Sequence, residues 1–435
     1  MSSGLDFGWR NAGRSGRVGH QGNRQVVCMS PEVVIVGAGA AGVGAGLALQ
    51  ARGIPFVILE AANRIGGRAY TDKTSLPYAW DHGCHWFHCA DVNPLVPWAD
   101  RLGTDYDRRA DIGGVMIWQN GGWLDDAQVA AADRAIDEGF DQIYAMGRSG
   151  TDMPLSRILP ANGPWAGLLR NIARLMSSGD PEAVSAVGYA TYEDTQVNWP
   201  VRSGLGDLIA RMAIGLPVRL STAATGIDYR PGGVVVRTEA GDIEARAAIV
   251  TASTNVLATG GIAFGPGPAL EVVDLVRDVP LGSYEKIAVA LRRLPVEPGE
   301  RAFCWIEPGQ GMGLNFQFGS GGEPMMIAHV GGQEALDMGR AGREEMITLA
   351  VERLVQAFGS GVRGEIIGAE VTGWQANPFV RGAYSYTKPG LSARRMQMIA
   401  AEAGAVIFAG EAFSPNWYAT AHGAYQSGVD AAGRV

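Results

Sequence analysis

The chain has 435 residues, which at ~150 residues per unit corresponds to roughly three domains. Hydrophobic residues make up 47% and charged residues 18%, so a large core is available and disorder is excluded as the main state. The 36 Lys and Arg against 44 Asp and Glu leave a net charge of −8, which argues against bulk binding to nucleic acid or to an anionic membrane. There are 62 glycines, about twice the usual ~7% share, and they carry no collagen period. That excess points to many tight turns and close backbone approaches to a ligand. Four cysteines in so long a chain do not make a disulfide framework, and a reducing, cytoplasmic setting is the expectation.

Residues 1–30 differ from the rest. They carry Arg10, Arg14, Arg17 and Arg24 among glycines, with Asp6 as the only acid, and no apolar targeting core follows. A disordered leader is expected here, with the folded chain starting near Met29. The apolar stretch Val33 to Leu49 is too interrupted by glycine to span a membrane, and no membrane span is expected.

Val33-Val34-Ile35-Val36 reads as a buried parallel strand. It runs into Gly37-Ala38-Gly39-Ala40-Ala41-Gly42, then an Ala/Leu-rich helix stopped by Gly53, then a second apolar strand, Pro55 to Leu59, ending at Glu60. Strand, GxGxxG, helix, strand and acid in that order form a dinucleotide-binding fingerprint. Gly37 permits the tight turn, Gly39 lets the backbone approach a pyrophosphate, and Gly42 lets helix and strand pack closely. The helix N-terminus offers free N–H groups to the phosphates, and Glu60 suits a ribose without a 2′-phosphate. Glu60 also opens Glu60-Ala61-Ala62-Asn63-Arg64-Ile65-Gly66-Gly67-Arg68, whose glycines allow a second approach to the pyrophosphate and whose Arg68 can neutralise its charge.

Further on, Asp81-His82-Gly83-Cys84-His85-Trp86 is a compact polar and aromatic element. On a strand His82 and His88 would face away from His85, so the three do not converge, and no metal is expected. Cys84 and Cys89 read as small buried fillers. Periodicity makes residues 126–176 helical. A β-meander is expected from Val218–Leu220, Gly226–Tyr229, Val234–Thr238 and Ile243–Ala247, followed by Ala248 to Ala252 as a return strand. Lys286 enters a strand whose far half is strongly apolar, where a lysine is either a snorkelling edge residue or functional. Trp305, Phe316 and Phe318 lie on strand-like segments, and alternation puts Phe316 and Phe318 on one face, as pocket wall or as core. Glu344 to Phe358 is an amphipathic helix closed by Gly359. The C-terminus holds Arg381-Gly382-Ala383-Tyr384-Ser385-Tyr386, the strand Val406 to Ala409 leading to Gly410-Glu411, and Asn416-Trp417-Tyr418-Ala419-Thr420-Ala421-His422-Gly423.

Taken together, the ExxxRxGGR segment, the D-x-G-x-x-W element, Lys286 and the two C-terminal segments resemble the flavin-dependent amine oxidase family across residues 31–435. The resemblance implies an α/β fold: a Rossmann-like FAD-binding domain with an interleaved α+β substrate domain. The implied partition is 31–85, 200–280 and 378–435 for FAD, and 86–199 and 281–377 for substrate. It implies FAD contacts at Gly37, Gly39, Ala41, Gly42, Glu60, Ala61, Gly67, Arg68, Asp81, Gly83, His85, Trp86, Ala224, Trp374, Gly410, Glu411, Thr420 and Ala421. Lys286 matches the family's lysine, which is bridged through water to flavin N5 and implicated in the reaction with oxygen. Tyr384 matches one wall of the aromatic cage that orients the amine, and Thr420 stands where monoamine oxidases carry the second, aromatic wall. Lys286, Tyr384 and Thr420 are therefore the implied catalytic residues. Ala383 replaces the cysteine that bonds covalently to flavin in monoamine oxidases, so the FAD is expected to be non-covalent. His85 and His88 are candidate cavity lining, and His422 either tunes the flavin or packs.

The activity implied is oxidation of an amine C–N bond, with a hydride equivalent passed to flavin N5 and oxygen reduced to hydrogen peroxide. The other reading of the same nucleotide motifs is a desaturase or protoporphyrinogen-oxidase-like enzyme acting on a larger hydrophobic substrate. Expected partners are a small-molecule amine and O2, with a homodimer as the candidate assembly and no nucleic acid.

Overall fold

A computed structural model of the chain describes residues 31–108, 114–297, 301–309, 311–319 and 321–435. The expected leader, 1–30, lies outside the described residues. Two sheets organise the molecule. The first has five strands in the order Val406–Phe408, Ala247–Val250, Val33–Val36, Phe56–Leu59 and Val218–Arg219, all parallel. Parallel strands covered on both faces need apolar residues at successive positions, and Val33–Val36 is buried along its whole length. One face packs on the helix Ala40–Ala51, the helix Leu205–Met212 and the C-terminal helix Ala421–Gly433. The other face carries the β-meander. The C-terminal helix docks tightly on the first one: a Cβ at Gly428 would lie 1.9 Å from the Ala41 carbonyl oxygen.

The meander differs from expectation at its first strand. Val218–Arg219 pairs with Ile58 and Leu59 at the edge of the parallel sheet instead. Ala224–Arg230, Gly233–Thr238 and Ile243–Ala245 form the antiparallel part, and Ala263–Phe264 adds a parallel edge. A short apolar strand carries no mark of which sheet it joins. The expected return strand does enter the parallel sheet, between Val33–Val36 and Val406–Phe408.

The second sheet has seven strands: Ile366–Val371, Tyr284–Leu291, Met325–Gly331, Leu314–Phe318, Phe303–Ile306, Val115–Gln119 and Gly122–Trp123. Pairing is antiparallel except between Phe303–Ile306 and Val115–Gln119. All strands of the parallel sheet fall within 31–85, 200–280 and 378–435, and all strands of the seven-stranded sheet within 86–199 and 281–377. Alternation divides the larger sheet into two faces. Ile287, Val289, Phe316, Phe318, Ala328 and Val330 form a core with Met346, Ala350 and Leu354 of the helix Arg343–Phe358, so Phe316 and Phe318 are core and not pocket wall. The opposite face carries Tyr284, Lys286, His329, Asn315, Gln317 and Trp305, and the helices Asp126–Arg148 and Ala166–Ser177 close over its Trp305 end. Among the described residues no helix is long and apolar enough to cross a membrane.

Candidate functional site

The dinucleotide end is a backbone cradle. The helix Ala40–Ala51 starts at Gly39 with no side-chain cap, so its first-turn N–H groups remain available to a diphosphate. Gly39 bridges to Gly66, and a Cβ on Gly67, at φ +58°, would stand 3.4 Å from the Gly39 Cα. Two backbone segments therefore face one space with no side chain between them. At Gly42 a Cβ would lie 1.9 Å from the Gly37 carbonyl oxygen, which accounts for glycine at the helix start. Glu60 is buried, and its two carboxylate oxygens accept the Ala38 N–H (2.7 Å) and the Ala62 N–H (2.8 Å). Each oxygen keeps acceptor capacity for a ribose hydroxyl. The Thr222 N–H donates to the Glu60 carbonyl, which brings Ala224, at the start of its strand, alongside. Open helix N–H groups, a side-chain-free cradle and an acid at its rim fit the diphosphate and ribose of FAD.

Arg68 ties this cradle to the C-terminal segments. Its Nη1 donates to Glu411 Oε1 (2.9 Å) and to the Ala383 carbonyl. The other Glu411 oxygen accepts from Ser385 Oγ (2.7 Å) and from the Ala419 N–H (2.9 Å). Burial opposes ionisation of Glu411, but the Arg68 and Arg395 guanidinium groups outweigh it and hold its pKa below the usual range. Arg395, which the motif reading did not single out, is buried over the Tyr418 ring at 4.1 Å and donates to Ser385 Oγ and the Ala412 carbonyl.

Lys286 is 2% exposed and lies on an interior strand, paired on both sides, so it is not a snorkelling edge residue. Its Nζ donates to the Asp81 carbonyl (2.9 Å), the Gly83 carbonyl (2.7 Å) and His85 Nδ1 (3.0 Å). Each of the three ammonium hydrogens thus has a protein acceptor, and any further acceptor must take the place of one of these. Burial pushes the Lys286 pKa down to about 8, partly offset by the Asp81 carboxylate. Asp81 itself is buried and accepts from Thr71 Oγ1 and from the Leu205 and Gly206 N–H groups. On the far side, Trp374 Nε1 donates to the His82 carbonyl (3.0 Å), so the 81–86 loop is held between Lys286 and Trp374. The opposite strand face anchors this clamp, because Glu285 accepts from Thr372 Oγ1 and from the Trp374 and Gln375 N–H groups. Trp86 pairs in the strand Trp86–Phe87 and stacks on Phe303.

The histidines disperse. His82 packs on Tyr70 and Trp80 beside Asp72, and His88 Nδ1 meets Asn198 Oδ1 at 2.7 Å. Among the described residues no three His, Cys, Asp or Glu side chains come together to hold a metal ion. Burial depresses the pKa of both His85 and His329, whose rings stack with centroids 5.7 Å apart. His422, pushed down to about 3 by burial, packs 5.2 Å from Trp417.

Tyr384 donates its hydroxyl to the Leu175 carbonyl, and its ring centroid is 5.7 Å from that of Tyr284. Tyr284, two residues before Lys286 and on the same strand face, is the second ring here. Alternation from Lys286 points to it. Thr420 is not an aromatic wall: its hydroxyl accepts the Gly423 N–H (3.0 Å) as the N-cap of Ala421–Gly433 and donates to the Trp417 carbonyl (2.6 Å). The same residue that is expected to be catalytic thus also caps this helix. Ala421 opens that helix and Gly410 leads into Glu411 at the end of Val406–Phe408.

Known proteins bear on this geometry. The profile described as "Flavin containing amine oxidoreductase" matches residues 164–435, and "NAD(P)-binding Rossmann-like domain" matches residues 35–102. Polyamine oxidase 2 of Arabidopsis thaliana is 26% identical over 437 residues, covering 93% of this chain and 87% of that protein. Lysine-specific histone demethylase 2 of Homo sapiens is 24% identical, with 93% of this chain covered but 53% of its own length. The solved cyclohexylamine oxidase from Brevibacterium oxydans IH-35A shares the fold at a TM-score of 0.78 and 21% identity, covering 93% and 98% of the two chains. A family profile spanning more than half of the residues, joined to a cradle suited to FAD, makes this protein a member of the flavin-containing amine oxidoreductases.

Proposed function

We propose that the protein oxidises the C–N bond of a small primary or secondary amine with O2 as acceptor. For a primary amine, the amine, O2 and water give the carbonyl compound, ammonia and hydrogen peroxide in equal amounts, the imine hydrolysing after release. Bound FAD supplies the two-electron acceptor between the amine and oxygen.

The chain's own residues do the rest. Glu60, the Gly39–Gly67 cradle and the open helix N-terminus hold the ribose and diphosphate. The Tyr284 and Tyr384 rings form an aromatic surface against which a neutral amine is oriented. The N-terminus of Ala421–Gly433, capped by Thr420, presents a positive helix end that would stabilise negative charge on the bound cofactor. Ala383 offers no sulfur for a covalent link, which supports non-covalent binding. The observation that carries the reading is Lys286: a buried ammonium, bonded into the Asp81–His85 loop, gives the site a positive charge for the oxygen half-reaction.

The test is to load the purified protein with FAD and supply a panel of monoamines, polyamines and amino acids in air. Peroxide produced in step with carbonyl product supports the reading. Flavin that is neither reduced by any amine anaerobically nor linked to peroxide overturns it.

A further inference from the structure

The sheet face that bears Lys286 holds polar atoms that the chain itself leaves unanswered. Register places Lys286 opposite His329, His329 opposite Asn315 and Asn315 opposite Trp305, one row across four strands. Partners across a sheet point to the same face, and each strand step is ~4.8 Å, so Asn315 stands roughly 10 Å along the row from Lys286. His329 is 3% exposed. Its Nδ1 meets the Tyr284 hydroxyl at 2.7 Å, while its Nε2 has no hydrogen-bond partner among the described residues. Asn315 Oδ1 is likewise buried without a partner. A buried polar atom left unpaired is costly, and two of them at paired positions of one sheet face, His329 beside the Tyr284 ring, call for a ligand group.

We infer that His329 and Asn315 form a subsite for a neutral hydrogen-bonding group, a hydroxyl in the first instance, carried by the substrate several bonds away from its reacting amine. This rests on the proposed amine oxidation and names the substrate class for it: amino alcohols in preference to plain alkylamines or diamines. In the tautomer where the Tyr284 hydroxyl donates to Nδ1, Nε2–H is left as a donor, and Asn315 Oδ1 accepts. A hydroxyl satisfies both, since it accepts and donates at once. A second ammonium does not fit, because the Lys286 charge lies in the same row and burial keeps His329 neutral.

The experiment compares ligands by binding as well as turnover. The FAD-loaded enzyme is titrated anaerobically with 1-methylcyclohexylamine and with its 4-hydroxy analogue, neither of which has a hydrogen on the carbon bearing the amine. The flavin spectrum reports binding. Tighter binding of the hydroxyl analogue, on the order of ten-fold, is expected. The ratio of the two dissociation constants should fall toward one in His329→Phe and, separately, in Asn315→Leu. In turnover, 4-aminocyclohexanol should exceed both cyclohexylamine and 1,4-diaminocyclohexane in kcat/KM. Equal affinities, absence of binding by either analogue, a preference that survives both substitutions, or preference for the diamine overturns the subsite. Failure of every amine to reduce the flavin overturns the amine oxidase reading instead, and the binding ratio remains a separate measurement.

Discussion

The Lys286 ammonium lies 3.0 Å from His85 Nδ1, across 201 residues of chain, with its other two hydrogens on the Asp81 and Gly83 carbonyls. Replacing it by methionine roughly preserves length and removes the charge. In Lys286→Met, anaerobic flavin reduction by a good amine should change little, while reoxidation by oxygen should slow by about 10²-fold. Stopped-flow separation of the two half-reactions checks this, and an unaltered oxygen step would remove Lys286 from the site.

The same lysine sets a pH dependence. With its pKa pushed down to about 8 by burial, its charge is present below that pH and lost as pH rises through it. The oxygen half-reaction should therefore slow above about pH 8 in the wild type and stay flat in Lys286→Met. Rate constants for reoxidation measured on both sides of that pH decide it.

Glu60 accepts two backbone N–H groups at the cradle and has capacity for the ribose. Glu60→Ala should weaken FAD binding by about one to two orders of magnitude, from the loss of charge-assisted hydrogen bonds. Titration of the apoprotein with FAD reads this directly, and an unchanged dissociation constant would show that Glu60 does not face the ribose.

Because Ala383 stands in the segment that Arg68 holds, with no thiol to bond carbon, acid precipitation should release intact FAD to the supernatant. Yellow colour retained by the pellet would contradict non-covalent binding.

Thr420 supplies the opposite kind of test. Thr420→Ala removes the N-cap and should destabilise the protein by about 1 kcal/mol, while Thr420→Ser should restore most of it. Thermal unfolding of both variants measures the cap. A large loss of turnover per bound flavin in Thr420→Ser, at wild-type stability, would show that the side chain has a catalytic role as well.

Legibility in the sequence followed the range of the interactions. The GxGxxG turn, its flanking strands and Glu60 are neighbours along the chain, so spacing alone marks them, and the fold places them as that spacing implies. The helices Asp126–Arg148 and Arg343–Phe358 are legible for the same reason, since helical bonds and apolar stripes are local. Val218–Arg219 joins a different sheet from the meander the sequence suggests, because a two-residue strand takes its partner from tertiary packing. Whether Phe316 and Phe318 face a pocket or a core also turned on what stands opposite them. The partners of Lys286 lie some two hundred residues earlier in the chain, and the His329–Asn315 row exists only in the register of four strands drawn from separate segments. Motif chemistry travels with local sequence. The burial, pairing and unanswered polar atoms that give a site its selectivity arise only when distant segments close on one another and exclude water.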